Sequence, residues 1–97
     1  MIVDVEVLPQ PLGTAANPYE HVEAAIAVAR RSGLRHEVHA LGTTVEGPPD
    51  EVWPVVRRMH EACLRSGAGS VVTVVKFAEA AGGDGPTIDG LTAKFRP

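Results

Sequence analysis

The sequence predicts an α+β fold with elements in the order β-α-β-β-α-β, and three observations carry that prediction. Valine-rich strands stand near the two ends, at Met1 to Leu8 and Ser70 to Phe77. Two segments with apolar residues at helical spacing lie between them. Between those helices, Leu34 to Leu41 and Gly42 to Glu46 follow each other with no room for a third helix, so they read as a hairpin.

Met1 to Leu8 sets Val3, Val5 and Val7 against Ile2, Asp4, Glu6 and Leu8, a period of two that puts the sets on opposite faces. Pro9, Pro11 and Gly13 end the strand in a loop running to Asn17. Asn17-Pro18-Tyr19-Glu20 then supplies an N-cap, a first-turn proline and a glutamate placed for a capping box. Val22, Ala25, Ile26 and Ala29 form the inner stripe of this helix. Arg30 and Arg31 suit its negative end, and Gly33 stops it. Pro48, Pro49 and Asp50 break the chain after the hairpin, and a second helix runs from about Glu51 to Gly67 with Val52, Val55, Val56, Met59, Ala62 and Cys63 facing inward. Pro54 would remove a backbone bond beyond the first turn, so the helix should begin early or bend. After Phe77, residues 81–86 read as a flexible loop, and no form is predicted for Thr87 to Pro97.

Composition narrows the function. A chain of 97 residues with 44% hydrophobic content makes one domain, residues 1–97, with one core. Aromatics are 4%, the net charge is −3 and no basic run occurs, so nucleic acid is not an expected partner. No apolar run approaches the roughly 20 residues needed to span a bilayer, which argues against a membrane role. Met1 to Leu8 already reads as a strand, with no leader ahead of it, and the single Cys63 fits a reducing compartment, so a cytoplasmic protein is expected.

The element order is that of a ferredoxin-like sandwich, a four-stranded antiparallel sheet with two helices on one face. Its other face would expose Ile2, Leu8, Leu41, Val72 and Val74, so a partner sheet should cover it and a homo-oligomer is expected. By the same parity that face collects Asp4, Glu6, Glu37, His39, Thr44, Glu46 and Lys76, a mostly acidic set suited to a polar or cationic ligand.

Several stretches together carry a family likeness. Met1-Ile2-Val3-Asp4-Val5-Glu6-Val7-Leu8-Pro9, the Ser32-Gly33-Leu34 link, Leu41-Gly42-Thr43-Thr44-Val45-Glu46-Gly47, and Met59-His60-Glu61-Ala62 leading to Gly67 and a Val-Thr-Val strand resemble the small prokaryotic thiamine-binding proteins related to YkoF. The likeness covers nearly the whole chain, and Gly-Thr-x-x-Glu-Gly is its most specific piece. It implies a non-catalytic subunit that assembles into dimers or tetramers through its sheet and takes thiamine or a hydroxymethylpyrimidine-like molecule, with no cofactor. Gly82-Gly83-Asp84-Gly85 departs from the more charged ending of that family.

A thiazolium is a permanent cation and an aminopyrimidine both donates and accepts, so carboxylates and hydroxyls are suitable partners. The expected ligand-binding residues are Glu37, His39, Thr44, Glu46, Glu6 and Asp4. Glu37 and Glu46, on paired strands, would meet the amine or thiazolium, with Thr44 and His39 adding hydrogen bonds. The plainer reading makes these solvated positions, or ion pairs such as Lys76 with Glu6 at an oligomer contact. The Pro9 to Ala16 loop reads either as a lid on this sheet end or as a simple connector.

Two other function classes stay open. An enzyme acting in an inter-sheet cavity would use His39 and Glu37 as an acid-base pair. A sensing module would signal through its oligomeric state. His36 and His39 fall on opposite faces and cannot share an ion. A metal set of His39, Glu37 and Glu6 lacks the clear ligand spacing of zinc sites, so no metal is expected. Cys63 reads as a buried structural thiol, and His21 and His60 as helix positions at the surface or boundary, without a role. The glycine loop at 82–85 lacks the Lys-Ser or Lys-Thr of a phosphate cradle.

Overall fold

Side-chain alternation along the first strand, β1 (Ile2–Gln10), divides the molecule into two layers: Val3 and Val5 are buried, while Asp4, Glu6 and Leu8 turn away. The computed structural model describes residues 1–83 and 85–97; Asp84, within the loop expected at 81–86, lies outside the described residues. The remaining elements are α1 (Glu20–Arg31), β2 (Arg35–His39), β3 (Gly42–Glu46), α2 (Pro49–Ser66) and β4 (Ser70–Ala78), followed by α3 (Ile88–Thr92) and a 3-10 turn over Ala93–Phe95. The four strands form one antiparallel sheet in the order β2-β3-β1-β4. With α1 and α2 on one face, this is the ferredoxin-like arrangement.

The core is aliphatic. Val3, Val5 and Val45 from the sheet meet Val52, Val55, Val56, Met59 and Cys63 of α2 and the small Ala25 and Ala29 of α1. Two alanines one turn apart let α1 approach its neighbours closely. Burial raises the thiol pKa of Cys63 above its ordinary value, as suits an inert core group.

Local chemistry changes some sequence-predicted boundaries. β1 runs through Pro9 to Gln10 because its pairing with β4 continues to Gln10 opposite Ser70, whereas its pairing with β3 ends at Val5. Beyond that point one flank of β1 is free, a setting in which a strand tolerates a residue without an N–H. The Asn17–Glu20 capping box does not form. The Asn17 carbonyl accepts from Glu20 N–H at 3.1 Å, closing a turn over Pro18 and Tyr19 before the helix starts. The Asn17 side chain instead accepts from Tyr19 N–H at 3.3 Å and donates to Glu23 Oε1 at 2.9 Å. α2 begins early, at Pro49, and Pro54 lies within it on the exposed side, where water can take the carbonyl it leaves free.

His21, expected at the surface or boundary, is buried, with Nδ1 2.6 Å from Ser66 Oγ. This contact ties the start of α1 to the end of α2. Gly67 completes the junction with φ of 127°, as its N–H and that of Ala68 return to the carbonyls of Leu64 and Cys63. A side chain at Gly67 would meet a left-handed backbone, and its Cβ would stand 3.3 Å from His21 Cε1. Gly67→Ala should therefore lower unfolding free energy by about 1–2 kcal/mol, read as a shifted urea midpoint.

The face away from the helices keeps an apolar strip of Leu8, Val72 and Val74, exposed by 41, 62 and 50%. Among the described residues no helix is long and apolar enough to cross a membrane.

Candidate functional site

Strand register sets the outer face in rows. Glu37 lies opposite Thr44, Thr44 opposite Asp4 and Asp4 opposite Lys76, so one polar row crosses all four strands. On one side of it Arg35, Glu46, Ile2 and Ala78 form the next row; on the other, His39 faces Gly42 and Glu6 faces Val74. All six expected ligand residues thus share this face.

Asp4, His39 and Thr44 converge although they stand on three strands. His39 Nε2 lies 2.9 Å from Asp4 Oδ1, and the Thr44 hydroxyl is 3.4 Å from the same oxygen and 3.3 Å from Nε2. A carboxylate only accepts, so Nε2 carries the proton in this pair. His39 reaches across β3 because Gly42 leaves the space open. A Cβ there would sit 3.0 Å from the Val5 carbonyl oxygen, 3.2 Å from His39 Cε1 and 3.3 Å from Asp4 Oδ1. His39 and Glu37 share this face but do not bond to each other. His39 bonds to Asp4, while Glu37 turns to Arg96.

Where β3 stops and β1 continues, a cleft of about 220 Å³ opens between the sheet end and α1. Leu12, Tyr19, Val22 and Ile26 form its apolar walls, Met59 lies at its base, and Glu6 and His39 supply polar groups. Val22 and Ile26, expected to be part of a buried stripe, remain half-buried because they border this space. The loop before α1 contributes Leu12, whose carbonyl accepts from His21 N–H at 3.0 Å. A second, more open depression includes Asp4, Thr44, Lys76 and Phe77. Asp4 and His39, bonded to each other, link the two hollows.

Glu37 and Glu46 are engaged by the C-terminal segment. Ile88 N–H donates to Glu46 Oε1 at 2.6 Å, and the Arg96 guanidinium donates to Glu37 and, at 3.0 Å, to Asp89. Arg35 donates to Asp89 at 2.8 Å, and Ile88 is the segment's buried side chain. The hydrogen bond from Arg35, with that from Arg96, holds the Asp89 carboxyl below its ordinary pKa. A carboxyl whose folded pKa is depressed contributes fully above its unfolded pKa, and the contribution is lost as pH falls through the folded value. Acidification below about pH 4 should therefore strip amide-exchange protection from Ile88 before it affects Val45 in the core.

The sequence did not reveal the C-terminal helix, although Thr87 followed by Asp89 is an N-terminal signal: Thr87 Oγ1 accepts from Gly90 N–H at 2.9 Å. Tyr19 and Leu12 carried no periodic signal, since the turn before α1 positions them. Among the described residues no three His, Cys, Asp or Glu side chains are gathered as a metal would require. His36 bonds to the Leu34 carbonyl at 3.0 Å, away from His39.

A sequence profile of the family described as thiamine-binding protein matches residues 3–96. A UPF0045 protein of Clostridium perfringens is 35% identical over 78 residues, which make up 80% of this chain and 80% of that protein. A UPF0045 protein of Synechocystis is 38% identical over 77 residues, 79% of this chain; the match spans 62% of that relative's length. Among solved structures, a domain of unknown function from Bacillus cereus superposes with a TM-score of 0.86 at 37% identity, over 98% of this chain and 88% of that one. A Thermotoga maritima protein, provisionally assigned to thiamine biosynthesis or salvage, gives a TM-score of 0.81 at 26% identity, over 98% and 97% of the two chains.

Proposed function

The chain belongs to the thiamine-binding protein family, and from that premise we propose that it binds thiamine, or a related pyrimidine or thiazolium compound, without turning it over. The observation that carries this reading is the continuity between the apolar cleft and the acidic sheet face, joined by the Asp4–His39 bond. A flat aminopyrimidine suits the cleft, between Tyr19 and Ile26, with its amine donating to Glu6. The linked cationic ring would then lie over Asp4 and Thr44 and extend toward Glu37, which stands opposite Thr44, with Glu46 in the next row. The strip of Leu8, Val72 and Val74 beside it is apolar enough to seat a second copy, which would close the site from above.

Calorimetric titration with thiamine, the free pyrimidine alcohol and thiamine diphosphate tests this. Thiamine should bind saturably and the diphosphate more weakly, because Asp4, Glu6 and Glu37 repel added phosphate charge. Tighter binding of the diphosphate would refute the assignment of the acidic face, and no saturable binding of any of the three would refute the proposed function.

A further inference from the structure

We infer that the C-terminal segment, Ile88 to Arg96, is a displaceable strap that competes with a cationic ligand for the acidic end of the sheet face. The inference rests on the binding reading above and adds regulation to it. Two carboxylates of that face are already occupied from within the chain, Glu37 by the Arg96 guanidinium and Glu46 by the Ile88 N–H. Arg96 places a delocalised cation on Glu37, the same type of charge a thiazolium would bring.

The strap is built to come away as a unit. Thr87 caps its helix, Thr92 Oγ1 donates to the Ile88 carbonyl at 2.7 Å, and Leu91 N–H returns to the Thr87 carbonyl, so these bonds are made within the segment and none of them is to the sheet. Its hold on the sheet is narrow. Ile88 is the one buried side chain, Leu91 and Phe95 are exposed, and the ion pairs of Arg35 and Arg96 are open to solvent. Exposed pairs of this kind hold weakly and are screened by salt. A site that is free only while the strap is undocked binds with its intrinsic affinity reduced by that fraction.

The test is amide hydrogen exchange at Ile88 in the full chain, with and without saturating thiamine, beside titrations of Arg96→Ala and Arg96→Lys. Ile88 should lose protection when thiamine binds, while Val3 and Val45 keep theirs. Arg96→Ala should bind thiamine about threefold to tenfold more tightly, and Arg96→Lys should return toward the parent value. Unchanged or increased Ile88 protection at thiamine saturation overturns the strap even if Arg96→Ala binds more tightly, since lost repulsion alone would explain the latter. If no form binds thiamine, the functional reading fails and the strap is judged with guanidinium chloride at sub-denaturing concentration against sodium chloride of equal ionic strength. Selective loss of Ile88 protection in guanidinium supports competition for Glu37, and equal behaviour in the two salts overturns it.

Discussion

Met59→Ala should lower the unfolding free energy by about 2–5 kcal/mol, a large part of the roughly 5–15 kcal/mol available to a small domain. Met59 is 1% exposed and packs in the core with Val3, Val5, Val45 and the alanines of α1. Those neighbours are short and cannot reach into the space left by a thioether side chain, so most of the cavity should persist. Met59 also borders the cleft, so its truncation would extend the cleft into the core. Urea unfolding should show a lower midpoint at nearly unchanged slope, since the area exposed on unfolding changes little. Met59→Leu conserves volume and should cost under about 1.5 kcal/mol. A loss below 1 kcal/mol in Met59→Ala would mean that the base of the cleft collapses readily and that the core is less tightly packed than the burial indicates.

The features legible in the sequence were those with a local period. Two-residue alternation placed Asp4, Glu6, Glu37, His39, Thr44 and Glu46 on one face, and helical spacing put Met59 and Cys63 inside. Pairing across that face was harder to read, because it depends on which strands become neighbours. His39 and Asp4 are 35 positions apart and meet only because β3 lies between them and offers Gly42 at the crossing point. His21 was hidden for a related reason: its burial comes from Ser66 and Gly67 at the far end of the other helix, a contact set by helix packing and not by its own neighbours. The C-terminal segment is short, holds a glycine and has one buried anchor, so hydrophobic periodicity could not mark it. Its partners Arg35, Glu37 and Glu46 are some 42 to 59 positions distant.

Asp4→Asn is the substitution expected to affect ligand binding most, weakening thiamine about tenfold to a hundredfold while leaving the fold intact. The fold should tolerate it because the side chain is partly exposed, at 36%, and asparagine keeps its shape. Asp4 stands in the middle of the polar row, bonded to the Thr44 hydroxyl and the His39 ring, with Glu37 next along the row beyond Thr44. A cation placed over that row would gain most from the Asp4 charge, and a charge-assisted contact of this kind contributes about 1.5–3 kcal/mol. Lys76 opposes Asp4 across the strand pair, so Lys76→Gln should act in the other direction and tighten thiamine modestly. The two substitutions separate a local contact from a general field. A screened field would make both effects small and strongly salt-dependent. A direct contact makes Asp4→Asn dominant at physiological salt, and thiamine affinity equal to the parent in Asp4→Asn would move the cationic ring off this row.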